Sequence, residues 1–334
     1  ASKKGTFVVD DTTGTGLLFA TLFQKKPADY AILSQNLYHA QMIYECLLNF
    51  FPEEKVVLFP SDELLRAEAL SSSKELMAQR LYAMGQLLDD QPKILITHPS
   101  ALLRYLPSPD AFRRLTLHLK VGQERSLDRL KNVLSEAGYL RVNKIDQSMQ
   151  FAIRGDIVDI FSVNELKPIR LEFFGDEIDS IKSFDIATQS SLSSLDHADI
   201  LPATDMFLTK EQETDFIKRL DTLVQNDAKE KKETDRDTFF QNISADKEDL
   251  LSHQCRPSLY RYYGFATNEI HSILSYFHPD LVFIPDQEAF LGSANFIQEE
   301  ARNYYQELVQ ENRIPTHLQQ YMSVEEALHG QKVT

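Results

Sequence analysis

Asp11-Thr12-Thr13-Gly14-Thr15-Gly16-Leu17-Leu18 is the stretch whose spacing comes nearest to a known chemistry. A phosphate-binding loop has glycine, four residues, glycine, lysine and then serine or threonine, placed after a strand and before a helix. Thr6-Phe7-Val8-Val9 reads as a short buried strand, and Leu17 to Gln24 as a helical run behind a Thr/Gly turn. Gly14 and Gly16 suit such a loop. Asp11 stands at its first glycine, Leu17 at its lysine and Leu18 at its hydroxyl residue. Leucine neutralises no phosphate and ligates no magnesium, and Asp11 sets a carboxylate where phosphates would sit. Two leucines opening a helix predict a filled, dry pocket. The plain alternative is a Thr/Gly turn unrelated to phosphate. Residues 90–100 also lack a helicase-type Asp-Glu pair after their buried strand, reading Ile94-Leu95-Ile96-Thr97-His98-Pro99-Ser100. A motor with these residues has lost both its nucleotide grip and its metal-binding acid.

Other candidates carry less. His253 and Cys255 are two apart, but no second pair completes four ligands, so no metal site is expected. Arg154-Gly155-Asp156 is a cell-adhesion tripeptide only by coincidence, and His98-Pro99 shapes a turn. No Asp/Glu pair can be placed in a cleft, so no catalytic residue is assigned and no cofactor is expected.

One face offers binding rather than catalysis. Along Pro168–Phe174 the side chains alternate, with Ile169, Leu171 and Phe173 facing a core and Arg170, Glu172 and Phe174 facing away. Along Met149–Arg154, Met149, Phe151 and Ile153 face inward and Arg154 outward. If these strands are neighbours, Arg154 and Arg170 form a small basic patch beside an exposed aromatic ring, a combination common at protein interfaces. The residues alone leave another arrangement open, with Phe174 covered and the arginines paired to Glu172 or Asp176.

The elements around these residues fall into two patterns. Before residue 116, strands at 30–33, 56–59 and 94–97 alternate with helices at 36–52 and 74–89, the signature of a parallel α/β sheet. Beyond it the period becomes two, over 149–154, 157–161, 168–174 and 178–184, with Gly175-Asp176 as a tight turn and a helix at about 124–137 that Ser126 caps. Helical character returns after Pro202. Lys229–Asp237 is a solvated charge run, 281–285 is one more buried strand, and 288–312 is a long polar helix. A chain of 334 residues with 43% apolar and 25% charged residues has length for two or three domains. A net charge of −15 disfavours a standalone DNA clamp. Two cysteines make no disulfide framework, and no stretch is a membrane span, so a cytoplasmic protein is expected.

Several stretches together resemble one family. Thr13–Gly16, Leu117–Gly122, Ile153–Phe161, Ile169–Ile178 and Leu201-Pro202-Ala203-Thr204 are similar to the excision-repair protein UvrB and to the UvrB-homology region of the bacterial transcription-repair coupling factors (Mfd). The leucines at 17 and 18, the run Gln35–Gln41, and a short helical 59–91 segment without UvrB's DNA-clamping hairpin favour the coupling factors. The resemblance implies a degenerate helicase-like (P-loop/RecA-like) parallel-sheet domain with an inserted α+β antiparallel-sheet domain. Its parts would be 1–115, the insert at 116–200, the returning part at 201–329 and the start of a linker at 330–334. It implies a non-enzymatic amino-terminal module of transcription-coupled repair that recruits UvrA through Arg154, Arg170 and Phe174. RNA polymerase and DNA would be met only through other domains of a longer protein. The alternative is a UvrB-type ATP-dependent helicase fragment.

Overall fold

The computed structural model describes residues 11–62, 74–251, 257–267 and 269–333. The strand expected at 6–9, part of the 59–91 segment, and His253 with Cys255 lie outside the described residues.

Helix α1 spans Thr12–Lys25, so it begins five residues before the expected Leu17. Asp11 explains the early start. Its carboxylate accepts from the Gly14 N–H at 2.6 Å, the bond of a helix N-cap. Strand β1 (Tyr30–Leu33), helix α2 (Leu37–Leu48), β2 (Val56–Phe59), α3 (Lys74–Leu87) and β3 (Ile94–Thr97) follow. β1 and β3 are fully buried and, apart from Thr97, apolar, as strands covered on both faces must be. His98 begins a single helical turn over Pro99–Leu102, and its buried ring Nε2 accepts from the Ser61 N–H at 3.1 Å.

After α4 (Pro109–Leu115) the architecture changes. β4 (Leu117–Lys120) leads to α5 (Leu127–Glu136), β5 (Leu140–Arg141), β6 (Gln150–Arg154), β7 (Ile157–Phe161), β8 (Ile169–Phe174), β9 (Glu177–Phe184), β10 (Ser191–Leu195) and β11 (His197–Ile200). Ser126 is the residue before α5, but its side chain makes no capping bond. Six strands form one sheet in the order β10-β9-β8-β7-β6-β5, and β4 pairs with β11. All pairs are antiparallel except β5 with β6. The hairpin turns Gly155-Asp156 and Gly175-Asp176 put their glycines at φ +58° and +63°, conformations that L side chains rarely adopt. One face of the sheet packs on Leu130 and Leu134 of α5 and on Leu117, Leu119, Ala198 and Ile200 of the two-stranded pair.

The chain then forms α6 (Lys210–Glu230), α7 (Glu233–Leu251), β12 (Leu281–Phe283) and α8 (Gln287–Gln310). The charge run at 229–237 spans the end of α6, the two residues between the helices and the start of α7. Those helices build a core of their own on Phe216, Leu220, Phe239, Tyr262 and Leu308. β12 rejoins the first sheet, a parallel four-stranded one ordered β12-β1-β3-β2. The Val282 N–H donates to the Lys332 carbonyl at 3.0 Å, so the segment expected to start a linker lies along the sheet edge.

Candidate partner-docking surface

The six-stranded sheet has one face covered by the main core and an opposite face that a small cluster of Ile145, Ala152 and Phe184 covers at one end and that is open at the other. β8 alternates as its residues dictate, with Ile169, Leu171 and Phe173 in the core and Arg170, Glu172 and Phe174 on the other side. A bulge between Glu172 and Phe173 adds a residue to β9, yet Phe174 still pairs with Glu177 and is 82% exposed. Nothing covers this ring among the described residues, so the arrangement with Phe174 buried is not the one adopted.

The arginines are arranged differently from the simple patch expected. β6 and β8 are not neighbours, because β7 lies between them. In register, Ala152 stands beside Asp159 and Asp159 beside Arg170. Asp159 is 1% exposed and is held by both arginines. Arg170 Nε donates to its Oδ1 at 2.7 Å and Arg170 Nη2 to its Oδ2 at 2.9 Å. Arg154 Nη2 donates to the same Oδ2 at 2.8 Å. The partner of both cations is therefore Asp159, not Glu172 or Asp176. The Arg170 guanidinium also lies over the Phe184 ring, 4.5 Å from its centre. The hydrogen bonds to Asp159 raise the Arg170 pKa above its ordinary value despite burial.

Glu172 is engaged elsewhere. Lys182 Nζ and Ser180 Oγ each donate to its Oε2 at 2.6 Å, and these bonds hold its carboxyl below the usual range, that of Lys182 most. Arg154, Arg170 and Lys182 are each bonded to a carboxylate, Asp159 or Glu172, and the exposed Glu177 stands beside Phe174 on β9. Ile157, opposite Arg154, is 36% exposed and adds apolar surface. Sequence reasoning missed Asp159, Lys182 and Ile157. Asp159 did carry a signal, since a carboxylate inside Ile157-Val158-Asp159-Ile160-Phe161 has to find a cation.

The start of α1 is not a phosphate cradle. Gly14 and Gly16 lie inside the helix, and Asp11 occupies the Gly14 N–H that a phosphate would need. Gly16 serves packing. A Cβ there would meet Cys46 Sγ at 2.6 Å and Cys46 Cβ at 2.9 Å on α2. Leu17 is 47% exposed and Leu18 half-buried, so the expected filled, dry pocket is replaced by an open helix face. Among the described residues no group of three or more His, Cys, Asp or Glu side chains could hold a metal, and no helix is long and apolar enough to cross a membrane.

The six-stranded sheet, its helix and the two-stranded pair lie within a stretch that matches a known family. Residues 117–206 match the family model described as the UvrB interaction domain. The longer similarity is to transcription-repair-coupling factors. The chain is 29% identical over 285 residues to that of Bacillus subtilis (strain 168), a match covering 85% of this chain and 24% of the relative. It is 26% identical over 273 residues to that of Staphylococcus aureus (strain USA300), covering 81% and 23%. These matches support the resemblance to the amino-terminal region of that family. The chain spans about a quarter of the length of the curated relatives it matches.

Proposed function

We propose that this chain is a non-catalytic docking module of transcription-coupled nucleotide excision repair, and that the open face of its six-stranded sheet recruits UvrA. The observation that carries the proposal is Phe174, a large aromatic ring left in solvent on the same sheet face as Arg154 and Arg170. Leaving an aromatic ring exposed forgoes burial worth roughly 1.5–3 kcal/mol, a loss that binding recovers when the ring enters a partner's socket. The match to the UvrB interaction domain supports assigning this face to UvrA. RNA polymerase, DNA and any ATP-driven movement belong to other parts of a longer protein, in keeping with the quarter-length match.

Under this reading the parallel-sheet unit descends from a P-loop fold and its nucleotide site has degenerated. Asp11, Gly14, Gly16, Leu17 and Leu18 support that view, because the helix supplies its own carboxylate where an anion would bind. The competing UvrB-type ATP-dependent helicase fragment requires ATP binding and turnover by this chain. The deciding experiment is calorimetric titration of UvrA with wild type and Phe174→Ala. Binding should weaken by ~1–3 kcal/mol in the variant, the range of interface hot spots. Equal affinities would remove Phe174 from the interface, and absence of wild-type binding would end the proposal.

A further inference from the structure

We infer that the two arginines divide the work of docking: Arg170 is a positioning residue that permanently neutralises Asp159, and Arg154 is the cation that transfers to a carboxylate of the partner. This deepens the UvrA reading and rests on it. The inference starts from the unequal way the two side chains hold one buried acid. Asp159 receives three hydrogen bonds. Arg170 supplies two of them, one to each oxygen, in the parallel geometry that suits a guanidinium and a carboxylate. It is only 16% exposed, lies over Phe184, and its Nη1 donates to the Gln189 carbonyl at 3.3 Å. If Arg170 turned outward, the buried carboxylate would be left with the single Arg154 bond and every one of these contacts would break.

Arg154 is held by a single bond and its side chain is 50% exposed. When it leaves, Asp159 keeps both oxygens paired to Arg170, so transfer strands no charge. Until then that bond keeps the guanidinium near its place of use, which lowers the entropy lost on binding. Glu172, across β7 from Arg154 by register, is already taken by Lys182 and Ser180. Arg154, Ile157, Glu172 and Phe174 lie at one end of the sheet by register. The partner surface is thereby specified as an apolar socket for Phe174 with a carboxylate beside it, within reach of Arg154.

The test uses the 334-residue chain, titrated against UvrA and melted, as wild type, Arg154→Ala, Arg170→Ala and the double variant. Arg154→Ala should raise Kd about tenfold or more and move Tm by less than about 2 °C. Arg170→Ala should lower Tm by about 5 °C or more. With Arg170 gone, Arg154 is Asp159's remaining described cation and is no longer free to transfer. Adding Arg154→Ala to Arg170→Ala should therefore change Kd less than about threefold. An Arg170→Ala chain that fails to fold agrees with the positioning role, and Arg154→Ala then decides alone. The inference is overturned if Arg154→Ala destabilises as much as Arg170→Ala, or if it leaves Kd unchanged while Phe174→Ala weakens binding. A wild-type chain that does not bind UvrA removes the underlying reading as well, so the two failures are told apart.

Discussion

Single residues separate two tasks that sequence spacing alone leaves entangled, gripping phosphate and gripping protein. At the start of α1, Asp11 sits on the Gly14 N–H, and Leu17 and Leu18 stand where a phosphate loop would carry cationic and hydroxyl side chains. ATP with magnesium should give no heat of binding in calorimetry up to roughly millimolar nucleotide, where an intact loop would saturate. Micromolar binding with turnover would restore the helicase reading. On the sheet face, Phe174→Ala should change Tm by less than about 1 °C, because surface substitutions usually stay within ±0.5 kcal/mol. A large drop in Tm would mean that the ring packs in solution and is no free anchor. The outward direction of Phe174 was legible from the period-two alternation of β8. The pairing of the arginines was not. It depends on β7 lying between β6 and β8, and strand order leaves no mark on the spacing within a strand.

Elements record the same contrast between local pattern and long-range contact. The buried strands β1 and β3, the hairpin turn at Gly175 and the long helix α8 follow from hydrophobic period and turn chemistry, and they are where the sequence places them. The start of α1 is different. Thr-Thr-Gly-Thr-Gly has poor helix propensity and reads as a turn, but the Asp11 cap and the fit of Gly16 against α2 override propensity. The switch from a parallel to an antiparallel sheet was legible as a change of period at residue 116. The separate helical core of α6, α7 and α8 was not, because the contacts joining Phe216 to Leu308 span much of the chain. The α1–α2 contact can be tested directly. Gly16→Ala gains about 1 kcal/mol of helix propensity but forces a Cβ to 2.6 Å from Cys46 Sγ. Overpacking of this kind costs ~1–3 kcal/mol, so urea denaturation should show net destabilisation. Cys46→Ala removes the nearer atom and should recover part of the loss. A stabilised Gly16→Ala chain would show that the glycine is not there for packing.

At the scale of the molecule, one buried acid ties the chain leaving the antiparallel insert to the parallel-sheet unit. Asp205 follows β11, and its Oδ2 accepts from Arg80 Nε of α3 at 2.9 Å and from Arg104 Nη2 at 3.5 Å. All three side chains are almost fully buried. Burial pushes the Asp205 carboxyl upward, but the two guanidiniums together outweigh it and hold the carboxyl below its ordinary value. The sign of the pH dependence follows. A folded pKa below the unfolded one, which is about 4, contributes stability that is fully present above pH ~4. That stability is lost as pH falls through the folded pKa, where Asp205 gains a proton. Asp205→Asn removes the charge at every pH and leaves two buried guanidiniums without their counter-ion, a loss of ~3–5 kcal/mol at neutral pH. Urea denaturation of wild type and Asp205→Asn at pH 7, 5 and 3 should show a gap that is the same at the two higher values and narrower at pH 3. An equal gap at pH 7 and pH 3 would mean that the site acts through shape alone. A gap near zero at pH 7 would mean that the union of the two sheets rests on their apolar contacts, among them Leu201 against Gly85, and not on this ion cluster.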